Sequence, residues 1–114
     1  MTVIGRSSPF GSSTRTRTLL ALQLLEESYA RELARLLDAP LSGVQKALQS
    51  LERDGLVAGR SVGRTRSYRL DPRYFAYREL DAFIGRLIEA EETLAKRVAM
   101  LRRRPRRTGK PLWN

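Results

Sequence analysis

The chain has 114 residues, room for one compact domain but not for two full ones. It contains no cysteine and no histidine, which excludes disulfides, thiolate nucleophiles, zinc sites built on those ligands and a histidine general base. Lys and Arg number 22 against 12 Asp and Glu, a net charge of +10 that suits a polyanionic partner.

Hydrophobic residues make up 41% of the chain, enough for a modest core. The apolar runs are short and broken by charge, so no segment is expected to span a bilayer. The N-terminus lacks the basic region and apolar block of a secretion signal, and a cytoplasmic location is expected. No acids cluster at loop spacing, so neither a metal nor another cofactor is expected, and no catalytic residue is assigned.

Residues 1–13, rich in Ser and Gly, read as a flexible arm. A first helix is expected from Ser13 or Thr14, where a hydroxyl caps, to about Glu27. Its "LLALQLLEE" is apolar over a wide arc, which predicts cover on more than one side. "SYARELARLLD" places Ala30, Leu33, Ala34 and Leu37 at helical spacing, a second helix of about two turns. Tyr29, just ahead of it, suits a short extended segment. "DAP" then interrupts, and Pro40 is placed to open a third helix that ends near Asp54, with Gly55 beyond it. A break of about three residues makes the two helices cross steeply, as in a helix-turn-helix.

The third helix has an inward stripe of Val44, Ala47, Leu48 and Leu51. Ser42, Lys46, Gln49 and Arg53 lie almost opposite, with Gln45 at the edge. That outer face is rich in donors and free of acids over its first three turns. Read blandly, it is a solvated face; read functionally, it is a contact surface.

"LVAGRSVGRTRSYRL" alternates as two strands around a turn at residues 62–65, with Gly63 supplying the permissive backbone. Arg60, Arg64, Arg66 and Arg69 fall here, with no acid between Asp54 and Asp71. Arg60 and Arg69 equally suit ion pairs with Glu52, Asp54 or Asp71, while Tyr68 is expected to pack inward.

A long helix is expected to run on to about Arg104. Leu80, Ile84, Leu87, Glu91, Leu94, Val98 and Leu101 repeat at alternating spacings of 4 and 3, a heptad seam interrupted by Glu91. Leu80 and Phe83 are expected to pack on their own domain. Ile84, Leu87, Glu91, Leu94, Val98 and Leu101 are expected to meet a second copy. Tyr74, Phe75, Tyr77 and Phe83 are open to two readings, hinge packing or the lining of an effector pocket. The run "RRRPRRTGK" offers Arg102, Arg103, Arg104, Arg106, Arg107 and Lys110 as a cationic tail for phosphates.

In "YARELARLLDAP", "LSGVQKALQSLERDGLV" and "GRTRSYRL" the chain resembles the winged helix-turn-helix domain of ArsR- and MarR-like bacterial regulators. The opening "FGSSTRTR" is also similar to winged-helix modules associated with nucleotidyltransferases. The resemblance implies a mainly α fold with a small β-hairpin wing (α+β), followed by a long C-terminal dimerisation helix. The arm then covers 1–13, the winged domain 14–73, the dimerisation helix 74–104 and the basic tail 105–114.

The function implied is a sequence-specific regulator of transcription that binds double-stranded DNA as a homodimer on a palindromic operator. No activation surface is visible, which favours a repressor. Ser42, Gln45, Lys46 and Gln49 are then the base-contacting residues. Arg53, Arg60, Arg64 and Arg66 are assigned to the backbone or minor groove. An antitoxin-like protein-interaction module and a nonspecific nucleic-acid binder are the alternatives. An enzyme is disfavoured: no paired acids follow "FGSSTRT", and the P-loop spacing is absent.

Overall fold

The computed structural model describes residues 9–103, apart from the side chains at 92, 93, 95, 102 and 103. Helix α1 (Ser13–Leu25) starts where Ser12 Oγ accepts from the Arg15 N–H at 3.1 Å. Thr16, Thr18, Leu19, Leu20, Ala21 and Leu22 are all buried, because α1 runs through the centre of the molecule. Its wide apolar arc meets the remaining helices on several sides and the sheet on another.

Strand β1 (Ser28–Tyr29) leads directly into α2 (Ala30–Leu37). Asp38 takes a left-handed conformation (φ 55°), and its N–H returns to the last turn of α2. Helix α3 (Leu41–Arg53) follows after Pro40, which sits at the N-cap position, one residue before the helix proper. Val44, Leu48 and Leu51 on α3 are fully buried and Ala47 nearly so, which matches the stripe read from the sequence. Gly55 (φ 84°) then lets the chain turn into the hairpin.

Strands β2 (Val57–Val62) and β3 (Thr65–Leu70) pair antiparallel, with β3 at the centre of a three-stranded sheet ordered β1-β3-β2. The extended segment at Tyr29 is therefore a true edge strand, with Ser28 opposite Tyr68 and Tyr29 opposite Ser67. Tyr68 packs inward, as its alternation implies.

The C-terminal region departs from expectation. In place of one long helix there are two, α4 (Tyr77–Ala90) and α5 (Glu92–Arg103), divided at Glu91 (φ −112°, ψ 68°). Helix α5 packs on α1 and α2 of its own chain. Arg97 secures it by donating to the Leu36 carbonyl at 2.9 Å, an acceptor the end of α2 leaves unpaired within the helix. The seam expected to meet a second copy is thereby spent internally. Ile84, Leu87, Glu91, Leu94 and Val98 are buried in the single chain, and Leu101 is half-buried. The physical reason is α1: a helix apolar around most of its circumference offers more surface than a typical small core, and α4 and α5 both cover it.

The aromatic residues also part company. Phe75 is 91% exposed and stacks on Tyr74, with ring centroids 4.9 Å apart. Phe83, expected to be internal, is 45% exposed, with its ring 5.7 Å from that of Phe10. Tyr77 lines a polar cleft beside Gln23, Glu26, Arg69 and Asp81. No helix among the described residues is long and apolar enough to cross a membrane.

Candidate nucleic-acid interface

Helix α3 is held from behind and left open in front. Behind it, Arg15 on α1 donates to Ser50 Oγ, pairs with Asp54 at 3.1 Å, and donates to the Phe10 carbonyl at 2.6 Å. In front, Ser42, Gln45, Lys46, Gln49 and Arg53 are all exposed. Because α3 is anchored along its inner stripe and at its C-terminal end, these side chains project from a rigid support.

The hairpin stands beside that face. Residues directly paired across antiparallel strands point to the same side of the sheet. Arg60 shares one side with Ser67, and Arg66 shares the other with Ser61. The Arg66 side also carries Tyr68, and it turns towards α3. There Arg66 donates to Glu52 Oε2 at 2.7 Å, and its guanidinium carbon lies 5.7 Å from the centre of the Tyr68 ring. Gly59 makes room for this arrangement: a Cβ there would stand 2.9 Å from Arg66 Nε and 3.0 Å from Tyr68 Cε2.

Arg60 faces the opposite way. It donates to Glu27 Oε2 at 3.1 Å, and the Ser67 hydroxyl donates to the same oxygen at 2.6 Å. The hydroxyl first, and then Arg60, hold the Glu27 carboxyl below its ordinary pKa. Arg60 thus pairs with an acid at the end of α1 rather than with Glu52, Asp54 or Asp71. Asp71 is taken by Arg73, whose backbone N–H at 2.9 Å is the main cause of its lowered pKa.

Arg64 sits exposed at the hairpin tip, after Gly63 (φ 64°) makes the turn. Between tip, α3 and the start of α2 lies a cleft of about 480 Å³ lined by Tyr29, Arg31, Gln45, Gln49, Arg64 and Arg66, among others. Four of the residues singled out from sequence therefore meet in one place. Ser42, Lys46 and Arg53 lie on the same helix face outside the cleft, and Arg60 lies behind the hairpin. Side chains Arg102 and Arg103, and residues Arg104, Arg106, Arg107 and Lys110, lie outside the described residues.

Tyr29 and Arg31 were not legible as site residues. Arg31 is an exposed cation in the first turn of α2, and only its solvent-facing position in "YARELARLL" hinted at a role. Placing it opposite Gln45 and Arg64 required the crossing of α2 and α3.

No family model matches the chain, and no curated protein is significantly similar to it in sequence. Solved structures do match. ZitR of Lactococcus lactis, in a mutant form, superposes with a TM-score of 0.58 at 18% identity, over 79% of this chain and 59% of that one. The adhesin competence repressor AdcR of Streptococcus pyogenes gives a TM-score of 0.58 at 17% identity, over 90% of this chain and 75% of that one. The fold is a winged helix-turn-helix.

In the winged helix, α2 and α3 are the helix-turn-helix pair and β2–β3 the wing, with α3 in the position of a recognition helix. The chain spans about 59% of the length of ZitR, so the likeness covers the winged domain and its helical flank rather than the whole of that protein.

Proposed function

We propose that this winged helix is a sequence-specific regulator of transcription that binds double-stranded DNA through α3 and the wing tip. The observation that carries the reading is the cleft in which Gln45 and Gln49 of α3 stand among Arg31, Arg64 and Arg66. Glutamine amides can bond both N6 and N7 of adenine in the major groove, which is worth about 1–3 kcal/mol of discrimination per base. Lys46 and Ser42, exposed one turn away, extend the contact to guanine or phosphate. The arginines supply the phosphate contacts that set register. The work is binding rather than catalysis, and it needs no cofactor.

The chain acts as a homodimeric repressor on a palindromic operator, in the cytoplasm where such DNA is found. Support comes from the name of its structural neighbour AdcR, a repressor. Two-fold symmetry would set two recognition helices about 34–36 Å apart, on successive turns of one DNA face. The basic tail adds sequence-independent contacts.

Selection of bound fragments from random duplex DNA at physiological salt tests the reading directly. A two-fold symmetric consensus is the expected result. Recovery without any consensus would favour a nonspecific nucleic-acid binder, and no recovery would favour a protein-interaction module.

A further inference from the structure

The stretch "FGSSTR" at residues 10–15 reaches α3 from behind, through one side chain. Gly11 (φ 106°) bends the chain back at the start of α1, and Ser12 caps the helix. Thr16, fully buried, accepts from the Phe10 N–H at 3.3 Å and donates to the Ser12 carbonyl at 3.1 Å, which closes the bend. The bend presents the Phe10 carbonyl to Arg15 Nε at 2.6 Å. A Cβ on Gly11 would stand 3.2 Å from that nitrogen, so the close approach also depends on glycine.

Arg15 directs the rest of its guanidinium at α3. Nη1 donates to Ser50 Oγ and Nη2 to Asp54 Oδ2 at 3.1 Å, and the side chain is only 20% exposed. Ser50 and Asp54 are four residues apart and lie one above the other on a flank of α3. The stripe of Val44, Leu48 and Leu51 behind the helix is apolar, and apolar contact has no preferred direction. It holds α3 against the core without fixing its roll about its own axis. A fork of donors in fixed geometry does fix that roll. At the ~5–6 Å radius of a helix with its side chains, a roll of about 10° moves a tip by about 1 Å. A bidentate pair between an amide and adenine, whose hydrogen bonds are confined to about 2.7–3.2 Å, does not survive that shift.

We infer that Arg15 is a positioning residue for sequence recognition. Through Ser50 and Asp54 it sets the roll of α3, and hence the direction in which Gln45 and Gln49 project, without touching DNA itself. Its anchor is the bend at residues 10–12, so "FGSSTR" serves the reading of bases from the far side of the helix. Contacts from long, flexible arginines to phosphate tolerate the same roll and carry no sequence information. The clamp therefore governs discrimination and leaves nonspecific affinity alone. The inference rests on the DNA-binding reading above and names a residue which that reading does not contain.

The test uses the full chain with Arg15→Gln and Arg15→Lys, at a temperature where each variant is fully folded. Affinities for a selected duplex and a scrambled one are measured as a function of salt. Arg15→Gln should lower affinity for the selected duplex on the order of tenfold, leaving the scrambled duplex and the salt slope unchanged. Arg15→Lys should show the same pattern, because its donors share a single nitrogen and cannot spread over three acceptors. A parallel loss on both duplexes, with the slope reduced by about 0.9, would make Arg15 a phosphate contact and overturn the inference. Unchanged affinity for the selected duplex would overturn it too.

Residual dipolar couplings of the backbone amides report the orientation of α3 against α1 and α4 in the free protein. Arg15→Gln should change them for α3 alone, and identical couplings overturn the positioning role whatever the protein binds. If Arg15→Gln fails to fold, Ser50→Ala combined with Asp54→Asn removes the clamp from the α3 side and takes its place in both measurements. A wild-type chain that selects no sequence overturns the DNA reading, while the couplings still decide whether Arg15 sets the roll of α3.

Discussion

Arg66 Nη2 lies 2.7 Å from Glu52 Oε2, joining the central strand of the sheet to α3. Both side chains are partly exposed, so the pair contributes at most about 1 kcal/mol to stability. Its consequence is positional, since it draws one of the wing cations towards α3. Glu52→Gln should leave the melting temperature within a few degrees of wild type. It should also raise nonspecific DNA affinity and steepen the slope of log K against log salt, by up to about 0.9. An unchanged slope would show that Arg66 is not available to phosphate even when released.

Gly59 and Tyr68 constrain the same corner. Gly59→Ala sets a methyl 3.0 Å from a carbon of the packed Tyr68 ring, which cannot swing aside as the Arg66 side chain can. Chemical denaturation should show a loss of about 1–3 kcal/mol, the usual range for an overpacked site. The same change at Gly43, where nothing lies within 4 Å, should instead be neutral or stabilising.

Gln49 and Lys46 should separate specificity from affinity. Gln49→Ala should weaken binding to the selected sequence by about 5- to 150-fold, the equivalent of about 1–3 kcal/mol, and leave nonspecific binding almost unchanged. Lys46→Ala should weaken both in parallel if its partner is phosphate. Competition titrations with selected and scrambled duplexes distinguish the two patterns.

Acid should loosen the wing. Glu27 and Asp71 both have folded pKa values below their unfolded ones, so the stability they supply is fully present above the unfolded values, about 4.3 and 3.9. It is lost as the pH falls through the lower, folded values. Melting temperatures measured from pH 3 to pH 7 should rise and level off above about pH 5. Glu27→Gln should flatten part of that rise, because its contacts to Ser67 and Arg60 no longer depend on a charge.

The tail should act through salt alone. Removing residues 102–114 deletes six cations, Arg102, Arg103, Arg104, Arg106, Arg107 and Lys110. Each that meets a phosphate contributes about 0.9 to the salt slope, so truncation should flatten the slope without altering the preferred sequence. An equal slope would confine DNA contact to the winged domain.

The periodic elements were legible in the sequence because their causes are local. A hydroxyl caps α1, though it is Ser12 rather than the Ser13 or Thr14 expected; Val44, Ala47, Leu48 and Leu51 recur at helical spacing, and Gly55 and Gly63 mark places where the backbone needs a positive φ. Those features determined the helix-turn-helix, the hairpin and the exposure of Ser42, Gln45, Lys46 and Gln49. What only the tertiary structure decided were relationships between elements far apart in the chain. It put Arg31 across from Gln45, sent Arg60 and Arg66 to opposite sides of one hairpin, and bent a helix at Glu91 whose own residues favour continuing it. Local periodicity records which face of an element is apolar, but not which neighbour will cover it, and at Glu91 the cover offered by α1 and α2 outweighed the preference of the backbone.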